Sequence, residues 1–245
     1  MASPAKIYQQ EMHDATGFYA TWLPGDTIEI GDAGILEGGR FRRMSSLLEI
    51  GIKFAVQEGK AFQNITYSST KNTKVQTEAG AAAAVSGKAG ISVEFSAEGA
   101  FLFQASRLQV QQLANPMEVG NGILKAQRDG VWDKSWLLVE SLQTAERATI
   151  LVSQDNSAGL VIQAEMEQGL PAVPLADSSV SLSIASSRGR ILQLLGSEGL
   201  HPLYSCLRVK TPLLGEPRLQ PVRGPANTGG PNLFSRPGID DLLES

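Results

Sequence analysis

The chain has 245 residues, a net charge of −4 at pH 7 and 42% hydrophobic residues, enough to bury a core as one large domain or as a domain with a tail. The slightly acidic balance, with a pI near 5.3, argues against general nucleic-acid binding, which favours a basic surface. The single cysteine, Cys206, excludes an intrachain disulfide framework and indicates a reducing compartment.

The sequence gives no sign of export or of a membrane-spanning helix. No apolar stretch approaches the roughly 18 residues that a spanning helix needs. The N-terminal segment lacks the apolar centre of a signal peptide. We therefore expect a cytoplasmic protein in its soluble form, which acquires any membrane contact later.

The N-terminal region predicts a short helix followed by an aromatic loop. Residues 3–15 have Ser3 as a cap and Pro4 at the first helical position. The loop contains Phe18, Tyr19 and Trp22, and aromatic residues with a polar edge favour the membrane interface. The alternative is that these aromatic residues form a small lid on the core.

A basic cluster lies between strand-like runs over residues 26–56. Its members are Arg40, Arg42 and Arg43, and each positive charge near an anionic membrane surface contributes about 1 kcal/mol to binding. The cluster is thus a candidate for lipid binding. The alternative is an ordinary solvated surface.

Residues 64–105 predict one long amphipathic β-hairpin. From 75 to 105 the odd positions are apolar or glycine except Thr77, and the even positions are mostly polar. Because a strand directs alternate side chains to opposite faces, the hairpin has one apolar and one polar face. The predicted membrane-inserting residues are on the apolar face: Val75, Ala79, Ala81, Ala83, Val85, Ala89, Ile91, Val93, Phe95, Phe101 and Phe103.

The length of this hairpin favours a membrane role. Each arm has about 15 residues, whereas a transmembrane strand needs only about 9–11. Alternation of lipid-facing and lumen-facing residues is the signature of a transmembrane β-barrel. The alternative is a long twisted hairpin with one face on a core. An apolar face built of alanine and glycine packs a core poorly, so we expect the hairpin to be held loosely.

The rest of the chain predicts a helical stretch, further strands and a tail. Residues 106–128 are helical in character, and 131–166 predict a second hairpin with a turn at 155–159. Its predicted inserting residues are Leu138, Leu142, Ile150, Val152, Leu160 and Ile162. Residues 211–245 contain six of the 12 prolines, typical of an extended tail. The fold class is therefore α+β, with a twisted antiparallel sheet, long amphipathic hairpins and a few short helices.

An enzymatic function has little support in the sequence. The only histidines are His13 and His201, and no metalloprotease, serine-hydrolase or phosphate-loop motif is present. His201 and Cys206 are close in sequence, but no nucleophile motif surrounds Cys206. We expect no catalysis, no cofactor and no metal site.

The order of these elements resembles the gasdermin family. The segment 131–165 is similar to the second inserting hairpin of that family, with Glu140, Leu142, Gln143 and Thr144 in its "-E-x-LQT-" stretch. Residues 40–52 resemble an early strand of the family. The resemblance covers about residues 5–210, which we take as a pore-forming domain followed by the Pro/Gly-rich tail 211–245.

The resemblance implies a pore-forming cell-death effector that binds acidic lipids, oligomerises and inserts two hairpins per subunit into a transmembrane β-barrel. Lys6, in the first helix, joins the aromatic and arginine residues as a lipid-binding candidate, although Glu11 and Asp14 make that helix less basic than the family pattern. The length is closest to short fungal members in self/non-self recognition, which implies plasma-membrane action and a homo-oligomer or a hetero-oligomer with a variant. The alternatives are a bacterial gasdermin in phage defence or a non-lytic β-rich interaction module. The tail is a restraint or a solvated end.

Overall fold

A computed structural model describes residues 3–22, 27–38, 40–59, 63–69, 72–78, 88–165, 175–177, 180–209 and 234–235. The helices are α1 (Pro4–Thr16) and α2 (Pro116–Arg128). The strands are β1 (Tyr19–Ala20), β2 (Asp32–Glu37), β3 (Arg40–Ser46), β4 (Val56–Glu58), β5 (Gln63–Ser68), β6 (Thr73–Glu78), β7 (Lys88–Phe95), β8 (Phe101–Leu113), β9 (Leu137–Ser153), β10 (Ala158–Glu165), β11 (Ser181–Arg188), β12 (Ile191–Val209) and β13 (Phe234–Ser235).

The predicted α+β class is confirmed, with antiparallel pairing in every strand pair whose register is defined. The predicted N-terminal helix is also confirmed as α1. It begins as the sequence indicates, because the Ser3 hydroxyl accepts the Lys6 amide at 3.3 Å and Pro4 needs no hydrogen-bond acceptor at the first helical position. None of the described helices is long and apolar enough to cross a membrane.

The chain divides into two compact units, each made of three chain segments. The first unit comprises residues 1–16, 61–109 and 144–202. It contains a four-stranded sheet in the order β11-β10-β7-β6 and the pairing of β5 with β8. Its core joins side chains of β7, β8, β9 and β10 with Leu175.

The second unit comprises residues 17–60, 110–143 and 203–245. Its strands follow the order β1-β12-β9-β2-β3, and β4 pairs with the end of β8. Helix α2 buries Val119 and Ile123 against Leu47, Trp132 and Leu138. A second cluster centres on Tyr204, whose ring lies 5.7 Å from that of Tyr19.

The long hairpin predicted over 64–105 is present as two consecutive pairings. The outer pair joins β5 to β8, with Tyr67 opposite Phe103, and the inner pair joins β6 to β7, with Val75 opposite Val93. Between the two pairs, the amide of the buried Ser69 donates to the Phe101 carbonyl at 3.1 Å, and the Ser69 hydroxyl accepts the Phe101 amide at 3.0 Å. In the described residues the two pairings thus follow one another along the predicted hairpin, and the inner one belongs to the four-stranded sheet. The small, glycine-bearing stretch 79–90 is the predicted tip of the hairpin, and its residues 79–87 lie outside the described residues.

The predicted second hairpin over 131–166 is wrong in its pairing. β9 and β10 are joined by the turn at 154–157, but β10 pairs with β7 on one side and β11 on the other. Both edges of β10 are thus occupied, which leaves none for β9 within the described chain. The second hairpin of the structure is β10–β11.

The helical prediction for 106–128 is half right. Residues 116–128 form α2, whereas 106–113 continue strand β8 because β5 and then β4 supply a hydrogen-bonding partner along it. Tertiary pairing overrides a local pattern that both helix and strand can satisfy. Of the tail at 211–245, only 234–235 are described, where β13 pairs with Arg208 and Val209.

Candidate functional site

The four-stranded sheet formed by β6, β7, β10 and β11 has two faces of opposite chemistry, and we call it the two-faced sheet. Its register aligns residues across the four strands, so that paired positions point to the same side. One such row is Thr77, Ile91, Ile162 and Ile184. The next row on this face is Val75, Val93, Leu160 and Ser187.

The apolar face is buried in the two central strands. Val93 and Ile162 are completely buried, and Ile91, Phe95 and Leu160 are each 2% exposed. The side chains that cover this face include Leu102, Leu151 and Leu175. The face therefore contributes to the core of the first unit in this conformation.

The opposite face is polar. Its rows are Gln76, Ser92, Val161 and Ser186, and Lys74, Glu94, Gly159 and Arg188. Val161 is the only large apolar residue in these two rows, and it is half-buried. Lys74 lies directly opposite Glu94, a cross-strand pair of opposite charge. A sheet with this division places one face in an apolar medium and the other in water.

The apolar face extends beyond its cover at both margins. Val75, on the outer strand β6, is 45% exposed, and Ile184, on the outer strand β11, is 37% exposed. These two side chains lie on the same face as the buried Val93 and Ile162. The sheet therefore carries more apolar surface than the rest of its unit covers.

The two outer strands also have one backbone edge without a strand partner among the described residues. Unpaired N–H and C=O groups on such an edge are a template for pairing with another chain. The outer strands β6 and β11 thus have both the alternating pattern and an open edge. Growth of the sheet by a second copy would thus extend both faces together.

The predicted inserting residues of the first hairpin fall on two parts of the fold. Val75, Ile91, Val93 and Phe95 lie on the apolar face of the two-faced sheet. Phe101 and Phe103 are buried on β8 instead, where the Phe101 ring contacts Tyr8 of α1 at 5.0 Å. The remaining predictions of this group are outside what the structure describes, either as whole residues or, for Ala89, as a side chain: Ala79, Ala81, Ala83, Val85 and Ala89.

The predicted inserting residues of the second hairpin divide in the same way. Leu160 and Ile162 lie on the apolar face of the two-faced sheet. The other four are on β9, outside that sheet and buried: Leu138, Leu142, Ile150 and Val152. Leu182 and Ile184 of β11 were missed, although the alternation in the sequence 181–184 signals them.

The structure separates the three arginines of the predicted lipid-binding cluster. The Arg43 guanidinium donates to Asp32 at 2.8 Å and to Glu49 at 2.7 Å. The hydrogen bond from Arg43 is the main cause that lowers the pKa of the Glu49 carboxyl. Arg43 is therefore committed to two carboxylates. Arg42 pairs with Glu37 at 3.4 Å, and both side chains are exposed.

The remaining lipid-binding candidates differ in exposure. Arg40 is exposed on the outer strand β3 and has no ion pair with any described residue. Tyr19 is 2% exposed and packs with Tyr204, which corrects its assignment to a membrane interface and fits the core-lid alternative. Phe18 and Trp22 are half-buried, and so is Lys6 on α1.

The residues considered for catalysis have structural surroundings. The Cys206 thiol is buried, and burial raises its pKa, with a smaller contribution from Glu140. A thiol held in the neutral form is a poor nucleophile. His201 shares a hydrogen bond of 3.1 Å with the Thr144 hydroxyl. Within the described ranges, no group of three or more metal-ligating side chains occurs.

No protein-family model and no curated protein matches this chain. Among solved structures, the chain is similar to the Gasdermin A3 membrane pore seen by electron cryomicroscopy. The similarity covers 85% of this chain and 91% of that one, at 12% sequence identity and a TM-score of 0.31. At these values the likeness does not decide the function, which has to be argued from the two-faced sheet itself.

Proposed function

We propose that this protein is a gasdermin-like pore-forming protein whose two hairpins, β6–β7 and β10–β11, insert into a membrane. The observation that carries the proposal is the two-faced sheet. Its four strands pair in continuous order, with one register shift between β10 and β11 at Val161/Ile162, and one face is mainly apolar while the other is mainly polar. This is the pattern of a transmembrane β-barrel wall, with the apolar face toward lipid and the polar face toward a water-filled lumen.

On insertion, the side chains that pack on the apolar face are replaced by lipid. In the present conformation Leu102, Leu151 and Leu175 cover the central strands. Lipid acyl chains replace these side chains on insertion, so the apolar surface stays out of water in both states. The open edges of β6 and β11 pair with neighbouring copies, because a membrane-spanning sheet has no free edge.

We infer that the membrane surface is met by exposed basic residues of the second unit. Arg40 and Arg42 fit this role, because Arg40 has no ion pair in the described chain and Arg42 has only an exposed one. The interaction favours acidic lipids. The protein acts without catalysis, moves from cytoplasm to plasma membrane, and takes part in self/non-self recognition of the fungal type, through copies of itself or of a variant chain.

Liposome leakage with charged substitutions at the margins of the apolar face tests the proposal. Val93 and Phe95 are unsuitable positions, because both are buried and a charge there unfolds the protein. Val75→Arg and Ile184→Arg instead place the charge on side chains that are already exposed. On the lipid face of a barrel each arginine costs about 2–4 kcal/mol per subunit near the bilayer centre, so dye release falls steeply.

The matched controls are Gln76→Arg and Ser183→Arg. These exposed residues are the sequence neighbours of Val75 and Ile184, lie on the polar face, and receive the same added charge. Leakage from vesicles with acidic lipid should persist in the controls and disappear in the test variants, with unchanged circular dichroism in all four. Equal leakage from both pairs would reject insertion of this sheet. No leakage from the unchanged protein, alone or with a variant chain added, would favour the non-lytic interaction module.

A further inference from the structure

The segment directly before β11 is held in the core of the first unit. Leu175 and Val180 are 3% and 2% exposed, and Leu175 belongs to the cluster that covers the apolar face of the two-faced sheet. Ala176 is also buried.

Arg147 of β9 binds the backbone of this segment. Its Nη1 donates to the carbonyl oxygens of Val180, at 2.8 Å, and of Asp177. Its Nε donates to the carbonyl of Gly196 on β12, at 2.8 Å. The three acceptors are uncharged carbonyl oxygens, so the planar guanidinium works as a fork that joins the segment to two strands of the unit.

Two neutral side chains hold the other end of the segment. The Thr149 hydroxyl donates to the carbonyl of Leu175 and accepts the amide of Gly196 at 2.9 Å. The amide of Leu175 donates to Gln104 Oε1 on β8 at 2.6 Å. Both backbone groups of Leu175 are therefore bound by side chains from other strands, and neither takes part in the ladder between β10 and β11.

These contacts matter because the β10–β11 hairpin is short. β10 and β11 each have eight residues in the described chain, where Glu165 pairs with Ser181 and the residue before Ser181, Val180, is not part of a strand. A transmembrane strand needs about 9–11 residues. β11 can gain residues at its N-terminal end only from the segment before Ser181, where the carbonyls of Val180 and Asp177 are bound to Arg147.

We propose that Arg147, Thr149 and Gln104 form a latch that keeps the β10–β11 hairpin too short to span a membrane. Release of the latch frees the carbonyls of Asp177 and Val180, so that β11 can extend at its N-terminal end. The latch rests on the proposed function and adds its regulation: it sets how readily the hairpin lengthens. Leu175 leaves the cover of the apolar face in the same movement, so one event lengthens the strand and uncovers its lipid-facing side.

Thr149→Val tests the latch with little change in side-chain shape. The variant removes the hydroxyl that bridges Leu175 and Gly196, two hydrogen bonds in all. A net contribution of about 1 kcal/mol per hydrogen bond predicts leakage from acidic vesicles about five- to thirtyfold faster than with the unchanged protein. Hydrogen exchange, followed by mass spectrometry in the absence of vesicles, should be faster in peptides that cover 175–180.

The matched control is Ser141→Ala, which also removes a buried hydroxyl from β9. The Ser141 hydroxyl lies 2.6 Å from that of Ser205 and makes no contact with the latch residues. This variant should leave both exchange at 175–180 and the leakage rate within about twofold of the unchanged protein. If Thr149→Val does not fold, Gln104→Met replaces it, because Gln104 is only half-buried and its loss removes the acceptor of the Leu175 amide.

The two readouts separate the latch from the proposed function. Faster exchange at 175–180 together with faster leakage in the latch variant alone supports the latch. Equal acceleration by Ser141→Ala, or unchanged exchange at 175–180, overturns the latch and leaves pore formation standing. Absence of leakage from every protein, even with faster exchange, overturns pore formation and the regulatory role with it.

Discussion

β9 and β10 are neighbours along the chain, joined by the turn at 154–157, yet they are built for different tasks. From Ala148 to Ser153, six consecutive residues of β9 are buried, so the strand is covered on both faces. β10 alternates instead, with Leu160 and Ile162 buried and Gln163 exposed. A strand buried on both faces can change its surroundings only if the packing on both faces is broken. An alternating strand has to change the packing on one face only.

Under the proposed insertion, this difference makes β9 the strand that stays in place and β10 the strand that changes its surroundings. β9 supplies Leu151 to the cover of the two-faced sheet and Arg147 and Thr149 to the latch. β10 supplies the apolar face that is covered. The pore hypothesis therefore treats β9 as a scaffold that stays in place while β10 and β11 change their partners.

The largest expected effect comes from a charge on the scaffold. Leu151→Asp places an ionised carboxyl among completely buried apolar side chains, which should lower the free energy of unfolding by more than about 4 kcal/mol. Gln163→Asp puts the same group on the polar face of β10 and should cost less than about 1 kcal/mol. Urea denaturation followed by circular dichroism measures both. Similar midpoints for the two variants would remove the distinction between the strands.

The sequence predicted the alternation of β10 and of the first hairpin, because period-two patterning is local information. The partner of β10 was not predictable in this way. The residues DNSAG at 155–159 indicate a turn, and a turn between two strands usually implies that they pair. Here β10 pairs instead with β7, which is distant in sequence, and β7 occupies the edge of β10 at which β9 was expected.

The latch was beyond sequence reasoning for a related reason. Gln104, Arg147 and Thr149 are ordinary polar residues within strand-like runs, and nothing in their spacing marks them. They act together because β8 and β9 both lie along the segment at 175–180. Equally, the sequence placed Arg43 with Arg40 and Arg42, and only the fold brings Asp32 and Glu49 to it.

The next effect concerns Gly99, which connects β7 to β8 in the first hairpin. Gly99 lies between β7 and β8 with φ +81°, a left-handed conformation that costs other residues about 1–2 kcal/mol. A Cβ added there would lie 2.8 Å from Cβ of Ile7 in α1. Gly99→Ala should therefore lower the free energy of unfolding by about 2–3 kcal/mol. Gly17→Ala is the control, since its φ is similar and no atom crowds the new methyl group. An equal loss of stability in both variants would show that α1 shifts to accommodate the new methyl group without a cost in free energy.

A smaller effect distinguishes Arg43, which is paired with a buried carboxylate, from Arg40 and Arg42 in the arginine cluster. Arg43→Ala leaves the buried Asp32 carboxylate without its guanidinium, which should cost about 1–3 kcal/mol of stability. Arg40→Ala and Arg42→Ala should change stability by less than about 0.5 kcal/mol, yet each should weaken binding to acidic vesicles by about 1 kcal/mol. Vesicle sedimentation and urea denaturation measure the two quantities. Weaker vesicle binding by folded Arg43→Ala alone would reverse this assignment.

The smallest effect tests whether the turn between β9 and β10 is a fixed pivot. Arg190 donates side-chain hydrogen bonds to Asp155 Oδ1 at 2.7 and 2.9 Å, and its backbone amide donates to Oδ2. These bonds, the side-chain ones first, lower the pKa of Asp155. A folded-state pKa below the unfolded value stabilises the protein above the unfolded value of about 3.9 and loses that contribution as pH falls through the folded one.

Asp155→Asn and Arg190→Gln remove the same ionic contact, so both should be slightly less stable than the unchanged protein at pH 7. The difference should begin to narrow below about pH 4, where the Asp155 carboxyl takes up a proton in the unfolded chain while the folded protein still holds it ionised. Arg190 is exposed and Asp155 is half-buried, so solvent screening keeps the effect small. Glu11 acts in the opposite sense, because burial, with a smaller contribution from Asp14, raises its pKa and favours the folded state on acidification. Urea midpoints measured from pH 7 to pH 3 in all three proteins isolate the turn, since the contribution of Glu11 is common to them. If the difference in stability between the variants and the unchanged protein stays constant across this pH range, the Asp155–Arg190 ion pair does not hold the turn between β9 and β10.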